Sequence, residues 1–193
     1  MTSQQSPEFE SERDRIINII LNVARSIDAL VIVGNGDLSR RIAAFNDGVS
    51  TLLLEGAMGM AAAVAVGYSR YCRRPLIVIE GDGNRVLGAP SAEWLQTQSC
   101  HACHVVFVNG IFASSGGQRV PVDLASRDAG ALHFHGSSEK LSDAIDEWVT
   151  QGGTRRLLIY ENSSHLELRT RPTGSLRGVT ARTKQESVRW LKL

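Results

Sequence analysis

Apolar residues in this chain come as short unbroken runs, separated by stretches where they recur every three or four positions. Ile16, Ile20, Val23 and Ile27 fall at helical spacing and predict an amphipathic helix from about Glu8 to Ser26. Ala29–Val33 is an unbroken apolar run that ends on Gly34, Asn35 and Gly36, which predicts a buried strand. Thr51–Leu54, Pro75–Ile79, His104–Val108 and Arg156–Tyr160 predict four more strands in the same way. Helices are predicted over Leu38–Phe45, from Gly56 to about Tyr71, over Ser91–Gln98 and over Leu141–Val149. A Gly/Ser loop follows the fourth strand as far as about Gln118. Leu132–His135 alternates apolar with polar, which makes His133 and His135 strand surface positions rather than ligands.

Buried strands alternating with helices define an α/β protein, a three-layer sandwich with a central parallel sheet. In such sheets ligands sit beyond the carboxyl ends of the strands, where the glycine-rich turns fall here. No internal repeat or linker divides the chain, so residues 1–193 read as a single domain. From about residue 162 the character changes. That tail holds seven Lys/Arg against two Asp/Glu, with little apolar periodicity before Val188–Leu191. It reads either as a wrapped or loosely ordered tail or as a docking segment for a partner.

The formal net charge of +1 gives no electrostatic reason to expect nucleic acid or a membrane surface as partner. The polar, acidic start lacks the basic and apolar regions of a signal peptide. No apolar run approaches the roughly 20 residues that span a bilayer. With an odd number of cysteines, three, this argues for reduced thiols and a cytoplasmic location.

Candidate chemistry gathers at two strand ends. Glu80-Gly81-Asp82-Gly83-Asn84 lies where the third strand stops, and a carboxylate between glycines is a hard oxygen ligand that a diphosphate can approach closely. The fourth strand ends on Val108-Asn109. Neighbouring strand ends of a parallel sheet lie side by side, so Asp82 and Asn109 can ligate one ion. Magnesium suits this, because it accepts few protein oxygens and takes the rest from phosphates and water. The bland alternative for Asp82 is a helix cap, and for Met58 a core methionine.

With these motifs the chain resembles the thiamine-diphosphate enzyme family, which carries G-D-G and then an Asn at the end of the next strand. Gly81, Asp82, Gly83 and Asn109 match that pattern, and Gly56-Ala57-Met58-Gly59 matches its G-x-M-G stretch. The resemblance implies thiamine diphosphate and Mg2+ as cofactors. It implies that Asp82, the Asn109 side chain and the Ile111 carbonyl bind the metal. The Gly83 and Asn84 backbone would meet the diphosphate. Gly56, Ala57 and Met58 would hold the aminopyrimidine, with Met58 under the bent cofactor. Gly34, Asn35, Gly36 and Phe112 complete the implied cofactor site.

Across roughly residues 15 to 190 the chain is similar to the beta subunit of sulfopyruvate decarboxylase and the matching half of phosphonopyruvate decarboxylase. Gly36-Asp37-Leu38-Ser39-Arg40, Ser114–Gln118 and Arg171-Pro172-Thr173 carry that likeness. It implies a carboxy-lyase subunit acting on a small anionic 2-oxo acid such as phosphonopyruvate or sulfopyruvate, with Arg40 and Arg119 as candidate partners for the anion. The family's activating Glu has no counterpart here. The resemblance therefore implies no catalytic residue on this chain and a separate alpha, pyrimidine-binding subunit, in a heterodimer or heterotetramer. Asn35 and Asp37 stand where the family commonly has hydroxyls, and Asn84 replaces a small residue. Asp37 repels a diphosphate unless it points away or meets a cation. Carbon–carbon ligation, or a silent partner that keeps the fold, are the alternatives.

Two other stretches resemble known motifs. Cys100-His101-Ala102-Cys103-His104 fits C-x-x-C-H, yet it precedes a core strand in a chain without an export signal, so haem, zinc and a redox dithiol all rank below chance thiols. Gly34–Ser39 approximates G-x-G-x-x-G but lacks the third glycine and the later acidic residue of a nucleotide-binding Rossmann domain. His165 carries no signal.

Overall fold

A computed structural model describes residues 11–46, 48–135 and 138–161. The start of the first predicted helix, the basic tail, His165, Arg171–Thr173 and the last periodic stretch lie outside the described residues.

Six strands form one all-parallel sheet: β1 (Leu30–Val33), β2 (Thr51–Leu53), β3 (Leu76–Gly81), β4 (Ala102–Val108), β5 (Leu132–His135) and β6 (Thr154–Tyr160). Their spatial order is β2-β1-β3-β4-β6-β5. The central strands are buried on both faces, which is why they read as unbroken apolar runs. β5, at the edge, is exposed except at the half-buried Phe134, and His133 and His135 lie on it exposed, stacked on Tyr160.

One helical layer comprises α1 (Glu12–Ser26), α2 (Asp37–Phe45) and α7 (Ser138–Gln151). Ile16, Ile17 and Ile20 of α1, Ile42 of α2 and Trp148 of α7 pack there against Val31, Ile77, Val105 and Leu157 of the sheet. Ser11 starts α1 by accepting the Asp14 N–H, and acidic residues fill the first turn, where the helix dipole favours them. The opposite layer holds α3 (Ala61–Ser69), α5 (Ala89–Gln96) and the short α6 (Leu124–Arg127). Small residues, Ala61, Ala62, Ala65 and Ala92, let α3 and α5 lie close to Leu30, Ile32 and Val78.

Two expectations change. Residues 56–60 are turns, and the Ala-rich helix begins only at Ala61, because Gly56 and Gly59 take left-handed φ values of 75° and 77°. The Gly81-Asp82-Gly83 stretch is not an open turn either. A short helix, α4 (Asp82–Leu87), starts there directly from β3, with Gly81 as its N-cap. The two changes are linked. A Cβ on Gly88, after α4, would lie 2.2 Å from the Gly59 carbonyl oxygen, so the 56–60 turn and the α4–α5 junction meet backbone to backbone.

Among the described residues no helix is long and apolar enough to cross a membrane.

Candidate functional site

The strand order reverses between β1 and β3, and a cleft opens beyond the carboxyl ends of β1, β3 and β4. It holds about 150 Å³, less than the roughly 300–1,000 Å³ of an enclosed small-molecule site. The described residues thus form one wall of a site rather than a closed chamber.

Asp82 sits at the first position of α4, 3% exposed. Its Oδ1 accepts the Gly83 N–H at 2.8 Å, and its Oδ2 accepts those of Asn109 at 3.1 Å and Gly110 at 2.6 Å. The two strand ends therefore meet as the spacing predicts. Burial raises the Asp82 pKa, against these backbone bonds and the field of Arg13. The helix-cap alternative also holds in part, since Asp82 occupies the first turn. Asn109 Oδ1 accepts the Ile111 N–H at 3.0 Å, which turns the chain into the next loop. That loop is a narrow hairpin: Phe112 N–H bonds Gln118 O, Val120 N–H bonds Gly110 O, and Ser114 and Ser115 of its tip reach the cleft. Gly83 is required by contact, because a Cβ there would lie 2.5 Å from the Phe112 ring.

Asn35, Gly36, Met58, Gly81, Asp82, Gly83, Asn84, Asn109, Ile111 and Phe112 all line the cleft. Gly34, Gly56 and Ala57 do not. Gly34 packs under the site, with Glu80 Cβ 3.0 Å from where its own Cβ would be, and Gly56 is exposed beside it. The two unusual asparagines have a shared task. Asn84 Nδ2 donates to Asn35 O at 2.9 Å and its Oδ1 accepts the Gly59 N–H at 3.0 Å, while Asn35 Oδ1 accepts the Gly56 N–H at 3.1 Å. Their side chains tie the loop after β1, the 56–60 turn and the start of α4 together.

Asp37 meets cations. Its Oδ2 accepts from Arg13 Nη1 at 2.9 Å and Arg41 Nε at 2.6 Å, and Arg41 continues to Asp14 Oδ1 at 2.7 Å. Arg40 and Arg119, the expected anion partners, are outside the cleft wall: Arg40 Nη2 lies 4.0 Å from Asp37 and Arg119 is exposed on the hairpin. The cleft instead contains Arg13, from the first turn of α1. Helical periodicity carries no signal for it, since its partners Asp37 and Glu161 are far away in sequence.

Among the described residues no group of three or more His, Cys, Asp and Glu could hold a metal. The candidate magnesium set is of another kind, one carboxylate and one carboxamide in one cleft. A carboxylate offers about four lone-pair directions, and three backbone N–H groups use three of those of Asp82. The donors fit a hard cation that completes its shell with water and phosphate.

Strand alternation splits the C-x-x-C-H stretch. Cys103 faces the α1–α7 core, where burial pushes its thiol pKa up to about 12. His104 faces the other way, with Nε2 2.9 Å from Glu80 Oε1.

This is the fold of thiamine-diphosphate-dependent enzymes. The chain superposes on a Mycobacterium smegmatis protein assigned as a thiamin diphosphate-dependent enzyme with a TM-score of 0.63 and 19% identity, covering 84% of this chain and 34% of that one. It superposes on the 2-oxoglutarate:ferredoxin oxidoreductase of Magnetococcus marinus with a TM-score of 0.65 and 16% identity, covering 95% and 70%. At such identities the likeness is one of fold. By sequence the chain is related to phosphonopyruvate decarboxylases: it is 36% identical over 129 residues to that of Streptomyces viridochromogenes, or 61% of this chain and 32% of the relative. The Streptomyces hygroscopicus phosphonopyruvate decarboxylase is 34% identical over 128 residues, 61% and 31%. The chain thus spans about a third of the length of these relatives. No protein-family model matches it.

Proposed function

We propose that this chain is the diphosphate-binding half of a thiamine-diphosphate-dependent decarboxylase that acts on a small anionic 2-oxo acid of the phosphonopyruvate or sulfopyruvate type. The observation that carries the reading is the meeting of Asp82 and Asn109 in one cleft at the strand-order reversal, in a chain related to phosphonopyruvate decarboxylases. Asp82, the Asn109 side chain and the Ile111 carbonyl would hold Mg2+ against the diphosphate. When bound, thiamine diphosphate supplies the nucleophilic carbon and electron sink that loss of carbon dioxide from a 2-oxo acid requires.

The residues of this chain bind and orient. The asparagine clasp sets the loops, Phe112 packs on Gly83, and Met58 forms the outer wall. Among the described residues no Glu lines the cleft to serve as general acid for the aminopyrimidine. Glu80 is paired with His104 on the other side of the sheet, Glu161 with Arg13, and Glu55 with Ser39. A separate pyrimidine-binding chain that brings a Glu meets this need. The cleft is open, and Met58, Met60 and Leu87 are 39%, 47% and 57% exposed, an apolar surface suited to burial against such a partner.

The test is calorimetric titration of the chain with thiamine diphosphate, with and without Mg2+, alone and mixed with a pyrimidine-binding partner chain. Binding is expected to need Mg2+, to strengthen with the partner and to vanish in Asp82→Ala. Binding indifferent to both Mg2+ and Asp82, or no binding in any mixture, sinks the proposal.

A further inference from the structure

We propose that Arg13 is the residue by which the cleft distinguishes a diphosphate from a monophosphate, by donating to the distal phosphate of the cofactor. The inference rests on the cofactor reading above and goes beyond its metal-centred contacts.

Arg13 is the one Lys or Arg in the cleft wall among the described residues. It is 6% exposed, whereas Met58 on the same cleft is 39% exposed. Arg13 therefore marks the closed end and Met58 the mouth. A ligand with its rings at the mouth and its charge inward brings its last phosphate to the guanidinium. Arg13 and Asp82 line the same cleft, so the two belong to one electrostatic site.

The guanidinium is held before any ligand arrives. Nε donates to Glu161 Oε1 at 2.7 Å, Nη2 to Glu161 Oε2, and Nη1 to Asp37 Oδ2 at 2.9 Å. The group also lies 5.7 Å from the centre of the Phe107 ring. Guanidinium has five N–H groups, so three bonds leave one on each Nη. Two N–H groups left on one planar cation can meet two oxygens of a phosphate, a pairing that the point charge of a lysine does not preorganise. Charge does not oppose this. Arg13, Arg40 and Arg41 offset Asp14, Asp37 and Glu161, three against three, and Asp82 remains outside this group for the metal.

The experiment titrates the full chain, with Mg2+, separately with thiamine diphosphate and thiamine monophosphate, in wild type, Arg13→Gln and Arg13→Lys. Losing charge-assisted bonds is expected to weaken diphosphate binding by about 10- to 100-fold. Monophosphate binding should change by less than about threefold, and Arg13→Lys should fall between wild type and Arg13→Gln. A general loosening of the fold weakens both ligands together and leaves their ratio unmoved. Should Arg13→Gln not fold, Arg13→Lys, which keeps a cation between Glu161 and Asp37, gives the same ratio test. An unchanged ratio, with wild type binding both ligands, overturns the role of Arg13 alone. Wild type that binds neither ligand, alone or mixed with a pyrimidine-binding partner chain, overturns the cofactor reading itself.

Discussion

Replacing Gly88 by alanine adds one methyl group between two backbones. Its Cβ would lie 2.2 Å from Gly59 O and 3.0 Å from Gly59 C, and neither atom is the end of a flexible side chain. Gly88 has φ −91°, which any residue adopts, so the effect comes from contact and not from backbone preference. Relief requires the α4–α5 junction and the 56–60 turn to move apart. Overpacking of this kind destabilises by about 1–3 kcal/mol. With an m-value of about 2 kcal/mol per molar urea, the midpoint should fall by about 0.5–1.5 M. Gly67→Ala is the matched control. It adds the same methyl inside α3, where nothing lies within 4 Å, and should stabilise by about 0.5–1 kcal/mol. Urea unfolding followed by tryptophan fluorescence measures both. A Gly88→Ala midpoint within about 0.2 M of wild type would refute the backbone contact.

Three further outcomes are expected. Asp82→Asn should abolish Mg2+-dependent binding of thiamine diphosphate in calorimetry while far-UV circular dichroism stays native; retained binding removes Asp82 from the metal set. Burial lowers the His104 pKa, outweighing Glu80, with Arg156 and Arg85 adding to the effect. The unfolded chain then binds more protons just below the ordinary value of about 6.5. Stability should therefore be complete above that pH and decline as pH falls below it; a His104→Asn variant with an unaltered decline between pH 7.5 and 5.5 in urea titrations contradicts this. The Cys103 thiol, pushed up to about 12 and buried, should resist thiol reagents at pH 8 until denaturant is added, whereas the half-buried Cys72 and Cys100 react earlier, as peptide mass spectrometry can follow.

Much of the fold is legible because burial on two faces leaves a plain trace. Val31–Val33, Ile77–Ile79 and Val105–Phe107 are unbroken apolar runs for the same reason that they are central strands. The Asp82–Asn109 pair was legible too, since adjacent parallel strands fix where their ends meet. What was hidden depended on contacts between distant segments. Gly81-Asp82-Gly83-Asn84 has poor helix propensity, yet α4 forms because Asn84 is held by Asn35 and Gly59. The 56–60 turn looked helical from its small residues, but its close approach to Gly88 and its left-handed glycines decide otherwise. Arg13 gives no sign, because one of three arginines in an amphipathic helix looks like any solvated charge until Asp37 and Glu161 are brought to it.

The carboxamide of Asn84 has a consequence for timing. A single planar group joins the loop after β1, the turn before α3 and the helix after β3. None of these three segments can shift without breaking a bond to the others, so they form one mechanical unit. Their order is set when the chain folds, not when a ligand arrives, and little conformational freedom is left to lose on binding. A cofactor that meets such a frame should associate in a single kinetic phase, with no slower step of loop closure on this side of the cleft.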